Sequence, residues 1–163
     1  MFELIKLPDE RLRQKSVPVT QFDDKLEELV KALEEAMLAG PGGVGIAAPQ
    51  LGVSQRVVIV DCTLGLRPCK NNGRLLMVNP EVLESNGEVF GREGCLSVPE
   101  WVGTVRRARE ISVRYQDIQG QCHELSTKAF EARVIQHEID HLDGILFIDR
   151  IVSTKDMVRR MDV

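Results

Sequence analysis

Near the end of the chain, His137-Glu138-Ile139-Asp140-His141 lies within a stretch of helical periodicity from Ser126 to Leu142. Ser126 or Thr127 can cap this helix, Phe130, Val134, His137 and His141 share a face, and Gly144 ends it. Four residues make a little more than one turn, so the two imidazoles stand about 6 Å apart on one side and can reach a single metal ion. Glu138, beside the first histidine, can reach a water at that ion without binding it, the position of a general base. The plain alternative is two surface histidines with chance spacing. A chain with this motif must bring a third ligand to the helix from another part of the sequence and leave one coordination position open.

The residues after His141 offer no histidine, and the aspartates there (Asp143, Asp149, Asp156, Asp162) are isolated. Upstream, Glu93-Gly94-Cys95-Leu96-Ser97-Val98-Pro99 sets a cysteine beside a glycine in a tight, non-helical setting. A bound thiolate is fully deprotonated and softens the ion, which makes Cys95 the first candidate on chemical grounds, against the alternative of a buried free thiol. Cys62 and Cys69 flank a loop with no second ligand pair and read as packing or partly exposed thiols. Cys122-His123 is a rival ligand source, although neighbours on an extended strand face opposite ways.

The rest of the chain supplies a frame for such a site. Asp23 to Ala39 reads as a helix with Leu26, Leu29, Val30, Leu33 and Met37 on its apolar side, Asp23 or Asp24 as cap, and Gly40-Pro41 as stop. Arg56–Val60, Leu75–Val78 and Ile111–Tyr115 read as strands. Helix, strands, then helix predicts an α+β fold: one compact domain over residues 1–163, with mainly antiparallel sheets packed around a central helix that carries the two histidines. At 163 residues a sizeable core needs no disulfide or metal staple. A net charge of −4 argues against a dedicated nucleic-acid or anionic-membrane binder. No secretory signal and no bilayer-length apolar run are visible, so a reducing, cytosolic setting is expected.

Between the first helix and the strands, Gly40 to Gln50 is too glycine-rich for a regular element. Gly43-Val44-Gly45-Ile46-Ala47-Ala48 matches a relaxed dinucleotide fingerprint, but it follows a helix and runs into Pro49 and a strand, the wrong context. Close backbone approach by an extended peptide fits better, with the Gln50 amide available to polarise a carbonyl. A helix cap followed by a turn accounts for Gly40 and Pro41 and leaves Gly43, Gly45 and Gln50 without a role.

Three segments in order, Gly43-Val44-Gly45-Ile46-Ala47-Ala48-Pro49-Gln50, Glu93-Gly94-Cys95-Leu96-Ser97 and Gln136-His137-Glu138-Ile139-Asp140-His141-Leu142, resemble the peptide deformylases over nearly the whole chain. The resemblance implies a metal held by Cys95, His137 and His141, typically Fe2+, with Zn2+, Ni2+ or Co2+ able to take its place. It also implies removal of the formyl group from formylmethionyl nascent peptides, releasing formate, with Glu138 as the base and Gln50 and the Leu96 backbone N–H facing the formyl oxygen. Val44, Gly45 and Gly94 are expected to offer main-chain partners to the peptide, and Phe130, Val134 and the surroundings of Glu93 to form the methionine pocket. A bacterial cytosolic enzyme, monomeric by default, with weak ribosome association follows from the same likeness. Ala129 stands where the family usually has glycine, Val102 where arginine is frequent, and Gly91 where a bulky apolar residue is common. An ordinary HExxH metallopeptidase, the nearest rival, needs a downstream ligand and leaves Cys95 idle. A non-catalytic module would need a fourth protein ligand.

Overall fold

Val57-Val58-Ile59-Val60 has no polar residue to turn toward water, so a strand there must be covered on both faces. The computed structural model, which describes residues 2–40 and 43–160, has all four fully buried. Val57 and Ile59 face one helix, α1 (Asp24–Ala39), packing with Leu26, Leu29, Leu33 and Met37. Val58 and Val60 face the other, α2 (Ala129–Leu142), among Leu75, Met77, Val113, Ala132, Ile135 and Ile139. Each such aliphatic side chain contributes roughly 1.5–3 kcal/mol by leaving water, so this strand anchors both layers.

In chain order the strands are β1 (Gly45–Ala47), β2 (Val57–Asp61), β3 (Arg74–Asn86), β4 (Val89–Cys95), β5 (Val98–Arg107), β6 (Glu110–Gln116), β7 (Cys122–Lys128) and β8 (Val158–Arg159). One sheet has the order β1-β2-β3-β6-β7 and the other β4-β5-β8; every pairing between them is antiparallel. The expected α+β architecture is therefore present, with α2 lying on the five-stranded sheet. A smaller core beneath the second sheet joins Cys95, Val98 and Val105 to Leu146 and Phe147, just past α2. Among the described residues no helix is long and apolar enough to cross a membrane.

The helix expected from Asp23 forms as α1, with the Asp23 carboxylate accepting from the Leu26 N–H at 3.3 Å. Pro41, half of its expected stop signal, lies outside the described residues, as do Gly42 and the last three residues of the tail. Two expectations are corrected. The glycine-rich stretch is not wholly irregular: Gly45–Ala47 pairs with β2 because Ile46 and Ala47 have a buried edge to join. Ser126 and Thr127 do not cap a helix but pair within β7, opposite Ser112 and Ile111, so the second helix starts only at Ala129.

Ala129 enters that helix with φ +59°, in the left-handed region where a Cβ is strained and glycine is not. A glycine at this position would carry no such strain. Ala129→Gly is expected to stabilise the fold by about 1 kcal/mol, the relieved strain outweighing the greater freedom of glycine in the unfolded chain. A denaturant melt showing no gain would mean that the backbone relaxes around Ala129.

Candidate metal centre

Cys95 closes β4 at a two-residue turn, paired across it with Val98, and a register shift between Glu93 and Cys95 bends the strand there. Ser97 pins this turn by donating to the Ile5 carbonyl at 2.7 Å. The bend points Cys95 at α2, where its Sγ lies 3.3 Å from His141 Nε2. One ligand atom each from Cys95, His137 and His141 lies within 4.8 Å of the others, and all three residues are buried. The helix spacing and the strand bend thus bring the three expected ligands together.

His137 is held from behind. Its Nδ1 stands 2.8 Å from Glu93 Oε1, and donation of the Nδ1 proton leaves Nε2 with its lone pair for a ligand. Glu93 also takes two hydrogen bonds from Arg107, at 2.9 and 2.8 Å, and one from Arg133 at 2.6 Å. Arg107 continues to Asp140 at 2.5 Å, and Asp140 to Arg150. Burial opposes ionisation of Glu93, but Arg107 and His137 outweigh it and hold the carboxyl well below the usual carboxylate range. At His137 burial likewise favours the neutral form, yet Cys95, Glu93 and Glu138 raise its pKa well above the ordinary histidine value.

Glu138 is 4% exposed, its Oε1 has no hydrogen-bond partner, and burial pushes its pKa up to about 7. Gly45 makes room for it: a Cβ there would lie 2.7 Å from Glu138 Oε2. Gln50, fully buried, accepts from the Ala47 N–H through Oε1 and turns its Nε2 toward Ser97 Oγ (3.2 Å) and Cys95 Sγ (3.6 Å). The donor set fits a divalent cation on these grounds. A thiol and two imidazoles converge, and a buried carboxylate stands beside them without a partner.

One pocket opens onto this cluster, and Val44, Gly45, Gln50, Glu93, Gly94, Leu96, Phe130 and Val134 line it together with Cys95, His137 and Glu138. His141 lies behind, essentially inaccessible. The Glu93 carboxylate is wholly engaged by His137, Arg107 and Arg133, so its contribution to the pocket is its edge and not its charge. Sequence reasoning missed Arg107, Arg133 and Asp140. Arg133, His137 and Asp140 fall at intervals of four and three on a helix that also buries Glu131, Glu138 and His141, and such a polar stripe on a buried helix was the available signal. Gly91 admits the Arg133 guanidinium, which a Cβ would meet at 2.8 Å. Cys62 is buried, with its thiol pushed up to about 12 mainly by burial, and Cys122 is exposed. His123 bonds Asp117 and stacks on Tyr115, away from the cluster.

Cys95→Ser is expected to lower the metal content of the purified protein severalfold and to shift its preference toward harder ions. Unaltered metal stoichiometry would remove Cys95 from the ligand set.

The polypeptide deformylase family model matches residues 1–157. A peptide deformylase of Acidobacterium capsulatum is 39% identical over 158 residues, covering 96% of this chain and 91% of the relative. Peptide deformylase 1 of Bacillus cereus is 44% identical over 151 residues, covering 93% and 92%. Among solved structures, the Thermotoga maritima peptide deformylase superposes with a TM-score of 0.85 at 39% identity, covering 94% of this chain and 99% of its own. A class I type b peptide deformylase of Acinetobacter baumannii with Met-Ala-Ser bound gives 0.84 at 39% identity, covering 92% and 98%. Fold, metal site and sequence agree: the chain belongs to the polypeptide deformylase family.

Proposed function

We propose that the chain hydrolyses the formyl amide of formylmethionyl peptides, releasing formate and a free amino terminus, with Fe2+ as its resident ion. The observation that carries this reading is the buried, unpartnered Glu138 carboxylate beside the convergent Cys95, His137 and His141. A divalent ion held by those three residues would polarise the formyl carbonyl and make water a better nucleophile at neutral pH. One thiolate with two imidazoles suits a borderline ion such as Fe2+, and Zn2+, Ni2+ or Co2+ fit the same donors.

The chain's own groups do the rest. Glu138 takes a proton from the attacking water as oxygen adds to the formyl carbon, and hands it to the nitrogen as the C–N bond breaks. The Gln50 amide and the Leu96 backbone N–H meet the negative charge growing on the formyl oxygen. Gln50 is suited to this because its Oε1 is tied to Ala47, which fixes the direction of Nε2. Val44, Gly45 and Gly94 flank the peptide with main chain, and Phe130 and Val134 receive the methionine side chain. The Met-Ala-Ser in the Acinetobacter structure is what this reaction would leave from formyl-Met-Ala-Ser. Because such substrates emerge from ribosomes, the cytoplasm is the proposed site of action, and any ribosome contact is local and weak.

The test is anaerobic, Fe2+-loaded protein given formyl-Met-Ala-Ser and, separately, unformylated Met-Ala-Ser. Stoichiometric formate from the first and no cleavage of the second is the expected result; peptide-bond cleavage without formate would favour an ordinary metallopeptidase.

A further inference from the structure

We propose that the mouth of this pocket selects formyl peptides with an acidic side chain in the residues that follow methionine, and that Arg160 is the principal contact. The inference rests on the deformylase reading and adds to it the charge of the preferred peptide.

The tail places Arg160 with little freedom. β8 pairs Val158 with Val102 and Arg159 with Trp101, and the Arg160 N–H donates to the Glu100 carbonyl at 2.7 Å. Side chains alternate along a strand, and Arg159 lies over the Trp101 ring, 5.5 Å from its centroid. Arg160 is thereby turned to the opposite side, onto the main chain of Gly94, where a Cβ would run into its guanidinium and would meet Val102 Cγ1 at 3.2 Å. Arg160 lines the catalytic pocket there, immediately before the ligand Cys95. Val102, beside it, has no charge of its own, so the tail strand supplies a cation that the neighbouring strand does not.

Arg92 lines the same mouth from β4 and is exposed. Among the described residues neither Arg92 nor Arg160 forms an ion pair, whereas the deeper Arg133 is committed to Glu93. The pocket's acids offer no compensation at the rim: Glu93 is neutralised by arginines, and Glu138 is buried at the cluster. A chain of net charge −4 thus presents, at the mouth of this pocket, two guanidiniums that have no ion-pair partner among the described residues. Such a rim attracts carboxylates and disfavours lysine, through encounter and ground-state binding more than through the chemical step.

The experiment uses the metal-loaded enzyme at low ionic strength and amide-capped peptides, so that no terminal carboxylate intervenes: formyl-Met-Ala-Ser, formyl-Met-Glu-Ser, formyl-Met-Ala-Glu and the matching lysine peptides. The better glutamate peptide is expected to exceed its lysine counterpart about fivefold in kcat/KM, carried by KM, the size of one partly exposed ion pair. The ratio should shrink toward one at roughly 0.5 M salt. Arg160→Glu should reverse the order of the glutamate and lysine peptides. Equal rates for the two in the wild type, or a preference that Arg160→Glu leaves unaltered, would overturn the charge selection while formate release upheld the deformylase reading. No formate from any peptide would sink both. The wild-type comparison stands without any variant, should Arg160→Glu loosen the tail.

Discussion

Glu138→Ala is expected to keep its metal and release formate about a thousandfold more slowly than the wild type. The ligands are untouched, because Cys95, His137 and His141 contribute the donor atoms and the Glu138 Oε1 bonds to nothing in the protein. What disappears is the group placed to carry a proton from water to the departing amine, a contribution worth roughly 10²–10⁴-fold. The fold should tolerate the change, since removing a buried carboxylate relieves a desolvation cost. The wild-type pH profile carries the same residue's signature. Glu138 acts as a base when ionised, so kcat/KM falls as pH drops through its pKa. Burial is the largest of the influences that put that pKa at about 7, and a cation at the neighbouring ligands would draw it down toward the ordinary 4.5, so the acid limb should lie between those values. The limb should be missing from the residual activity of Glu138→Ala. Full turnover by this variant at matched metal content would falsify the assignment of Glu138 as the base.

Legibility in the sequence followed the regularity of each element's surroundings. α1 was readable because one apolar stripe faces one core and Asp23 caps it. β2 was readable because burial on both faces leaves an unbroken aliphatic run. In β3 only Leu75–Val78 stood out, since register shifts after Val78 and Val82 and the left-handed Asn79 break the alternation over the remainder. β4 and β5 break the alternation because Glu93 and Arg107 are buried in the network behind His137 while Arg92 next to Glu93 is exposed, and period-two reasoning does not detect such strands. The end of β7, from Ser126, reads as the start of a helix, as nothing local reveals that Ser126 has Ser112 for a partner across the sheet. At the site, the two histidines and Glu138 came from spacing alone. Cys95 needed chemistry, and its convergence with them needed the fold. The buried arginines were hidden, because an arginine's partner is fixed by tertiary contacts that distance in sequence does not encode.

Glu93→Ala should be the most damaging single change to stability, at about 3–5 kcal/mol, and should weaken metal binding by about 10–100-fold. Two guanidiniums and one imidazole converge on this carboxylate, all buried. Arg107 would retain Asp140, but Arg133 would keep only the Val89 and Val105 carbonyls, and His137 would lose the acceptor that orients its ring. Folding would then carry an uncompensated buried cation, which is costlier than the lost pair itself. Glu93→Gln should fall between the two proteins, because an amide oxygen still accepts from His137 but cannot neutralise Arg133. The pH dependence has a defined sign. The folded pKa of Glu93 lies below its ordinary 4.5, so its stabilisation is complete above that value and is lost as pH falls toward the folded pKa. Through the Glu93 carboxyl itself, the gap between wild type and Glu93→Ala should therefore narrow as pH falls below about 4.5. Denaturant melts across this range, paired with metal titrations, separate the two roles. A stability loss below about 1 kcal/mol with metal affinity intact would mean that the arginines find other partners and that His137 is oriented by its packing against Phe147, whose ring lies 6.2 Å away.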